Sequence, residues 1–350
     1  MTRTINGVSL TYLDRGHISN MNCPNFYHSR TSTKPQDGSI RAEVQRLVQV
    51  CLVVIVIFLF VNAAALAQDL EPRSYSALPT GLNFLATTYS ETNGSVSLDP
   101  SLPVTGLKAK IKAYDLAYVR TFSLLGRSAS FGIVVPSLHG ELSGTVFGKD
   151  QRMSRTGLSD IRMRLAVNLI GGPAFTPPEL KQRIPTTTFG TSIIVIAPTG
   201  QYQLSRLINI GSNRWALKPE IGLSQPLGNW FAEAYTGVWV YTDNSNYFNG
   251  HERGQSPIYT LQLHGGYNFH PNLWLAVDAT YYRGGRTNVD GSEGNDLQSR
   301  ARVGLTLSAP ILPGFSTKLT WSKSLPGQNG GDYQLFGVTL QYFWFDLPGH

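Results

Sequence analysis

Apolar and polar residues alternate through much of the chain after residue 69, and this period of two constrains the fold more than any other feature. The pattern is clearest in 160–169, 258–269, 273–282, 300–308 and 334–345. In the first stretch, for example, Met163, Leu165 and Val167 fall on one face. Because successive side chains of a β-strand point to opposite faces, each stretch predicts a strand with one apolar and one polar face.

Composition narrows the class of protein that such strands build. Of the 350 residues, 41% are hydrophobic and 15% are charged, which excludes an intrinsically disordered chain. Two cysteines are too few for a disulfide scaffold. A mean hydropathy of −0.11 excludes a membrane protein built from many apolar helices.

Twelve strands account for most of the sequence after the first 80 residues. They are predicted at 82–91, 110–123, 128–138, 157–169, 187–198, 213–225, 230–242, 257–269, 273–285, 298–309, 315–324 and 334–345. Most are about 10–14 residues long, whereas strands of soluble proteins have ~5–6 residues and a tilted membrane-spanning strand needs roughly 9–11. These lengths favour strands that cross a membrane.

The connections between the predicted strands alternate in length. The long ones are rich in Gly, Asn, Asp and Ser and cover 92–109, 139–156, 199–212, 243–256, 286–297 and 325–333. The intervening ones are tight, except that 170–186 is long, and we expect there a turn that carries a small helix. Outer-membrane barrels have an even number of strands, short periplasmic turns and longer external loops. The sequence therefore predicts an all-β, antiparallel transmembrane β-barrel of the outer-membrane type, with about twelve strands and periplasmic termini.

Residues 1–67 are predicted to be a leader and signal peptide that precedes a single barrel domain, residues 68–350. Arg41 lies ahead of the uninterrupted apolar run 52–61, and small residues follow this run. A basic region, a short apolar run and an Ala-x-Ala site are typical of a secretory signal peptide, here with cleavage after Ala67. An uncleaved transmembrane anchor is the alternative.

Charged residues on the polar faces of the predicted strands are the candidate lumen residues. They are Asp160, Arg162, Arg164, Lys218, Glu220, Glu233, His264, Asp278, Arg300, Arg302 and Lys318. In a membrane barrel the apolar face meets lipid and the polar face lines the lumen. Two interpretations remain open. The arginines form a selectivity ladder for anionic solutes such as aromatic carboxylates, or the charges form an ion-pair network that fills the barrel.

One predicted external loop also has two interpretations. Segments 197–202 and 207–213 flank it, and both are rich in Gly, Asn and Ser or Thr. The loop either folds into the barrel as a constriction or ligand gate, or it packs on the surface.

The sequence contains no catalytic or metal-binding constellation. A lipase in a barrel wall needs an activated Ser beside a His on the lipid-facing surface, whereas His264 falls on the predicted lumen face. Residues 242–247 carry oxygen ligands without the spacing of a calcium loop, and zinc and iron–sulfur ligands are lacking. We therefore expect no enzyme activity, no cofactor and no metal.

Aromatic residues cluster near the ends of the predicted strands. They are Trp215, Trp230, Phe231, Tyr267, Phe269, Tyr281, Tyr282, Tyr342 and Trp344. Such residues form girdles at the two interfaces of a membrane barrel. The expected partners are therefore the lipids of the outer membrane, and the assembly machinery that would bind the aromatic C-terminal strand. The formal net charge of +7 is partly carried by the leader, so nucleic acid is not an expected partner.

Several segments, in order, resemble the motifs of one known family. They are 157–168 (GLSDIRMRLAVN), 197–202 (APTGQY), 207–215 (LINIGSNRW), 218–222 (KPEIG), 242–246 (TDNSN) and 278–285 (DATYYRGG). Over roughly residues 75–345 the chain resembles the family named for the MetA pathway of phenol degradation, whose members are outer-membrane transporters. The resemblance implies a channel for small aromatic or hydrophobic compounds and assigns no functional residues. A structural or ligand-binding barrel without transport is the alternative.

Overall fold

The computed structural model describes residues 71–95, 104–146, 149–325 and 332–346. The predicted leader and its cleavage site lie outside the described residues. Within these ranges no helix is long and apolar enough to span a membrane.

Seventeen strands are present in the described ranges. They are β1 (Leu82–Ser95), β2 (Val104–Leu124), β3 (Arg127–Val146), β4 (Lys149–Leu158), β5 (Arg162–Ile170), β6 (Thr188–Ile196), β7 (Ala216–Leu227), β8 (Trp230–Tyr241), β9 (Asn244–Tyr247), β10 (His251–Gln255), β11 (Ile258–His270), β12 (Leu273–Gly284), β13 (Thr287–Val289), β14 (Ser292–Glu293), β15 (Gln298–Leu312), β16 (Phe315–Ser324) and β17 (Tyr333–Phe345). A 3-10 helix, Pro178–Gln182, lies between β5 and β6, which agrees with the expected small helix in this connection.

The wall is a closed antiparallel barrel. β1 pairs with β2 on one side and with β17 on the other, so the first and last strands meet. β4 and β5 act as one wall strand interrupted at residues 159–161, because both pair with β3. Among the described residues, twelve wall strands therefore form the barrel, as the sequence predicted. Closure leaves no sheet edge with unpaired backbone groups in contact with lipid.

The alternation separates lipid-facing from lumen-facing side chains as expected. In β12, Val277 is 54% exposed and the next residue, Asp278, is 0% exposed. In β15, Leu305 is 43% exposed whereas Thr306 is 0% exposed. Leucine and valine are thus exposed on the outside of the wall, and polar residues are buried inside it. This inverted arrangement is stable where the outside is lipid.

Two of the predicted loops, 92–109 and 139–156, are partly strand. β2 has 21 residues and β3 has 20, and β3 pairs with β4 as far as Lys149. The prediction of a loop over 139–156 was therefore wrong, as was the start of β2 at residue 110. These extensions lie beyond the apolar part of the wall, where the outward face carries residues such as Lys110 and Glu141. Without lipid on that side, the apolar half of the alternation disappears.

The tight connections have the backbone geometry of two-residue turns, as the turn between β2 and β3 shows. Leu125 and Gly126 join β2 to β3 with φ angles of 50° and 75°. Positive φ at both central residues is the geometry of a two-residue hairpin, whose twist matches that of the strands. At the opposite end of the barrel, β9, β10, β13 and β14 form a separate small sheet from the long loops.

Aromatic rings lie at the membrane interface near the tight turns, with two corrections to the prediction. Rings of Trp230 and Tyr267 lie 4.8 Å apart, and those of Tyr342 and Trp344 lie 5.5 Å apart. Phe231 and Tyr282 were predicted in the girdles, but they are 5% and 1% exposed and point inward. Each follows an outward aromatic residue, so the alternation places it on the other face.

Breaking the ladder of the closing strand tests the barrel. Leu340 is outward in β17 and pairs with Thr87 and Thr317. Leu340→Pro removes an N–H group from a strand that is paired on both sides, which disrupts the closure. We expect the unheated protein to migrate faster than the heated protein on a gel, and this difference to vanish at a lower temperature in Leu340→Pro than in Leu340→Val. Identical migration of heated and unheated native protein would contradict a closed barrel.

Candidate functional site

The lumen brings most of the predicted charged residues together. Ten of them, from Arg162 to Lys318, lie on inward positions of wall strands, and Asp160 lies in the break between β4 and β5. All are buried except Arg162, which is partly exposed. The interior is therefore a packed polar core.

Glu220 is the centre of one charged cluster in this core. The Lys218 ammonium lies 2.6 Å from its carboxylate, and the Arg164 guanidinium lies 3.8 Å away. The Gln262 amide donates a hydrogen bond of 3.2 Å to the same carboxylate. Buried charges are tolerated when they are paired and hydrogen-bonded, because desolvation otherwise costs several kcal/mol per ion. The cluster favours the interpretation of an ion-pair network over a row of unpaired selectivity charges.

His264 and Asp278 form a second cluster across β11, β12 and β15. The His264 Nδ1 atom lies 2.7 Å from Asp278 Oδ1, and the Thr306 hydroxyl donates a 2.6 Å hydrogen bond to Asp278 Oδ2. His264 is 3% exposed and faces the lumen. A wall lipase would need its catalytic base on the surface that meets the acyl chains of the bilayer. His264 lies on the opposite face of the wall.

The segment before β1 enters the barrel, a feature that the alternation in the sequence does not predict. The Arg73 amide donates a 2.5 Å hydrogen bond to Glu233, and its guanidinium lies 4.2 Å from the Phe231 ring centroid. The Tyr75 hydroxyl donates to Glu220 at 3.0 Å. Burial, reinforced by the Glu220 carboxylate, raises the pKa of Tyr75, so its hydroxyl stays protonated and able to donate.

Two glycines make room for this segment. Gly190 of β6 and Gly222 of β7 are directly paired, and both face inward. A Cβ atom on Gly222 would lie 2.1 Å from the Tyr75 ring, and one on Gly190 would lie 2.4 Å from it. The paired glycines thus form a slot for Tyr75. Glycines at inward positions of adjacent strands are the signal in the sequence that indicates such a slot.

Aromatic side chains line the same part of the lumen and were also missed. In β8, Phe231, Tyr235 and Trp239 recur every fourth residue, and all point inward. Trp274 and Tyr282 of β12 complete this group, which we call the aromatic column. The rings of Phe231 and Trp274 meet edge to face with centroids 6.1 Å apart. The sequence signal that could have predicted the aromatic column is the occurrence of aromatic residues at even spacing on the inward face of one strand.

The aromatic column also has unused hydrogen-bond donors. In the part of the chain that the structure describes, the buried indole N–H groups of Trp239 and Trp274 have no hydrogen-bond partner. A buried unpaired donor costs about 1–3 kcal/mol, so such groups are rare without a reason. These indole N–H groups can donate hydrogen bonds to an oxygen atom of a ligand.

The loop of residues 197–215 folds into the mouth of the barrel. Ile210 is 8% exposed and packs on Ala113 and Leu138, which face the lumen from β2 and β3. Ile208 packs on Ala109 and Leu142 in the same way, further from the membrane. The structure therefore favours the inward constriction over a loop packed on the surface.

Asp160 holds this loop in place. Its carboxylate accepts hydrogen bonds from the Gly200 amide at 2.8 Å, the Ser212 amide at 2.7 Å and the Ser212 hydroxyl at 2.6 Å. Asp160 thus contacts both ends of the loop. Its predicted place in the lumen wall is corrected: it lies in the break between strands and binds the loop that narrows the lumen.

Metal binding has no support in the part of the chain that the structure describes. No group of three or more His, Cys, Asp and Glu side chains there is arranged to hold an ion. The acidic residues of the long loops are used in hairpins: Asp290 accepts from the Glu252 amide, and Asp296 accepts from the Thr287 amide and hydroxyl.

Comparison with known proteins identifies one family and one fold. A family model described as "Putative MetA-pathway of phenol degradation" matches residues 74–342. An outer membrane channel from Pseudomonas putida F1 has 19% sequence identity and a TM-score of 0.66, covering 79% of this chain and 100% of its own. The beta domain of a Bordetella autotransporter has 14% identity and a TM-score of 0.48, covering 75% of this chain and 100% of its own. A search of the curated proteins gave no match.

Removing the Asp160 carboxylate tests the loop. Asp160→Ala eliminates three hydrogen bonds to a charged acceptor, each worth about 1.5–3 kcal/mol, so the loop opens more often. We expect trypsin to cleave after Arg206 at least about tenfold faster, measured by mass spectrometry of the fragments. Asp150→Ala removes an exposed carboxylate that accepts from Thr145, and it is the matched control. Equal cleavage rates in the two variants would show that Asp160 does not hold the loop.

Proposed function

The chain belongs to the family described as the MetA pathway of phenol degradation, and on this premise we propose that it is an outer-membrane channel for small aromatic or hydrophobic compounds. The family and the closed barrel support a place in the outer membrane. The residues of the lumen support the class of compound.

The aromatic column is the observation that carries the proposal. Among the polar residues of the lumen, Phe231, Trp239 and Trp274 provide inward aromatic surface on one side. Aromatic rings bind other rings edge to face or offset, for about 0.5–1.5 kcal/mol per pair beyond area burial. The unpaired indole donors add sites for a phenolic hydroxyl or a carboxylate.

Basic residues on the inner faces of neighbouring strands extend the range of solutes to aromatic acids. Arg300 and Arg302 of β15 and Lys318 of β16 face the lumen. Their positive charge favours anions over cations of similar size. This role is secondary to the aromatic column.

Passage requires the N-terminal segment and the inward loop to move. Arg73 and Tyr75 occupy the lumen toward the end of the barrel that carries the tight turns. Ile208 and Ile210 narrow the lumen at the end that carries the long loops. Both obstacles are connected to the wall by hydrogen bonds and small apolar contacts, and neither is part of the barrel ladder. Such elements can open locally while the barrel ladder stays intact, at the cost of the hydrogen bonds that hold them.

Export and assembly follow from the predicted ends of the chain. We propose that residues 1–67 direct the chain across the inner membrane and are removed after Ala67. The aromatic β17 strand would then be recognised by the outer-membrane assembly machinery. Both steps rest on the sequence patterns.

A barrel that binds a ligand or supports the membrane without transport is the second candidate. The burial of the inward residues in the described ranges favours it, because closely packed side chains narrow the path through the lumen. The two candidates differ in flux and share the same fold. We propose no enzyme activity for either.

A matched pair of solutes tests the proposal. Benzoate and cyclohexanecarboxylate have similar size and equal charge, and they differ in the aromatic ring. In proteoliposomes we expect benzoate uptake to exceed cyclohexanecarboxylate uptake by about two- to tenfold, the range that one ring contact provides. Phe231→Leu/Trp274→Leu removes the inward rings and should abolish this preference.

The control variant changes two rings that face outward. Trp230→Leu/Trp344→Leu alters the interface girdle and should leave the preference intact. No protein-dependent uptake of either solute would overturn the channel proposal in favour of the second candidate. Uptake without any preference would overturn the role of the aromatic column.

A further inference from the structure

The outward face of β1–β4 changes from apolar to polar along the barrel axis, one row of residues after another. Rows follow from the strand register, in which residues on adjacent strands lie opposite each other. Tyr89 of β1 and Tyr114 of β2 are paired, with ring centroids 5.2 Å apart. Below this row, toward the tight turns, the outward residues are apolar, as at Leu85, Leu116 and Phe131. The tyrosine row therefore marks the outer interface of the membrane.

Three polar rows continue the same outward face above the tyrosines. In order away from the membrane they are Glu91–Lys112–His139–Thr156, Asn93–Lys110–Glu141–Ser154 and Ser95–Lys108–Ser143–Arg152. We call these twelve residues the basic face. At about 3.3 Å per residue and a tilt of roughly 40°, Lys108 lies about 15 Å above Tyr114. That height corresponds to the headgroup layer of the outer leaflet.

Positive charge on the basic face exceeds what its acids neutralise. Lys110 pairs with Glu91 at 3.1 Å, and His139 lies 3.3 Å from Glu141. Both acids of the face are therefore engaged. Within the described ranges, Lys108, Lys112 and Arg152 form no ion pair, and each lies on an outward position of its strand.

The basic face also borders a shallow, open concavity. This concavity has a volume of about 740 Å³, and its lining includes Lys108, Lys110, Arg152 and Ser143 together with parts of the inward residues Ala109 and Leu142. Lys108 and Arg152 are separated by the strand that carries Ser143, which places their backbones about 10 Å apart. Cations and hydroxyl groups at this spacing can contact one phosphate group from two sides.

We propose that the basic face binds the phosphate groups of the phosphorylated glycolipid that forms the outer leaflet of the outer membrane. The acyl chains of such a lipid would lie against the apolar outer wall below the tyrosine row. Its phosphorylated sugars would then reach the level of Lys112, Lys108 and Arg152. Charge complementarity and the height of these rows select this occupant, and binding is independent of any flux through the lumen.

Binding of purified, bisphosphorylated lipid A to the detergent-solubilised full chain tests the proposal. Lys108→Gln/Lys112→Gln/Arg152→Gln removes the three uncompensated charges. We expect it to weaken binding at least about tenfold, since each basic group at a membrane surface contributes appreciably. The control Arg127→Gln/Arg283→Gln/Lys323→Gln removes three exposed, outward charges elsewhere on the wall and should bind as the native protein does. Heat-modifiable migration shows that each variant is folded.

Two further binding measurements test whether the phosphate groups and the acyl chains of the lipid both contribute. Monophosphorylated lipid A should bind the native protein several-fold more weakly, and this comparison needs no variant. Inorganic phosphate at millimolar concentration should not compete, because it lacks the acyl chains that hold the lipid against the wall. Equal binding of the two triple variants, or equal binding of lipid A with one and two phosphates, would overturn the proposal. Equal affinity for phosphatidylglycerol would also overturn it, because attraction to any anionic lipid would then suffice.

Discussion

Backbone hydrogen bonding in lipid is the constraint on which the rest of this structure depends. Hydrocarbon offers no partner to an N–H or C=O group, so each must pair within the protein. The antiparallel barrel meets this demand, and the contact of β1 with β17 removes the last edges. Once the sheet is closed, every wall residue within the membrane faces either lipid or the lumen. The period of two in the sequence therefore decides both surfaces at once, and a near-neutral mean hydropathy results from averaging them.

The interior follows from the same closure. A twelve-stranded barrel encloses a limited volume, and the inward side chains fill much of it. Charged residues are accommodated in pairs, such as Lys218 with Glu220 and His264 with Asp278. The N-terminal segment and the loop of residues 197–215 occupy further space without belonging to the wall. In the proposed channel, a solute would pass when these two elements are displaced, while the ladder that keeps the barrel closed stays intact.

The sequence predicts the wall well because its pattern reports a physical boundary with lipid. All twelve wall strands and the exceptional connection near Pro178 were found from alternation and turn residues. The extensions of β2 and β3 were missed, since beyond the membrane both faces meet water and the alternation disappears. Asp160 illustrates a second limit: alternation placed it in a wall strand, whereas three contacts with Gly200 and Ser212, 40 and 52 residues away in sequence, determine its position. The aromatic column and the slot for Tyr75 depend on which inward residues meet across strands, which a pattern along one strand does not contain.

Nitroxide labels at each position from 275 to 282 in β12 test the central claim most directly. With Cys23 and Cys51 replaced by Ser, single cysteines are labelled and the protein is placed in bilayers. Oxygen, which concentrates in lipid, should collide most often with labels at 275, 277, 279 and 281, and least with those at 276, 278, 280 and 282. An oxygen profile without a period of two, or with its maxima at the even positions, would contradict a barrel whose apolar face meets lipid.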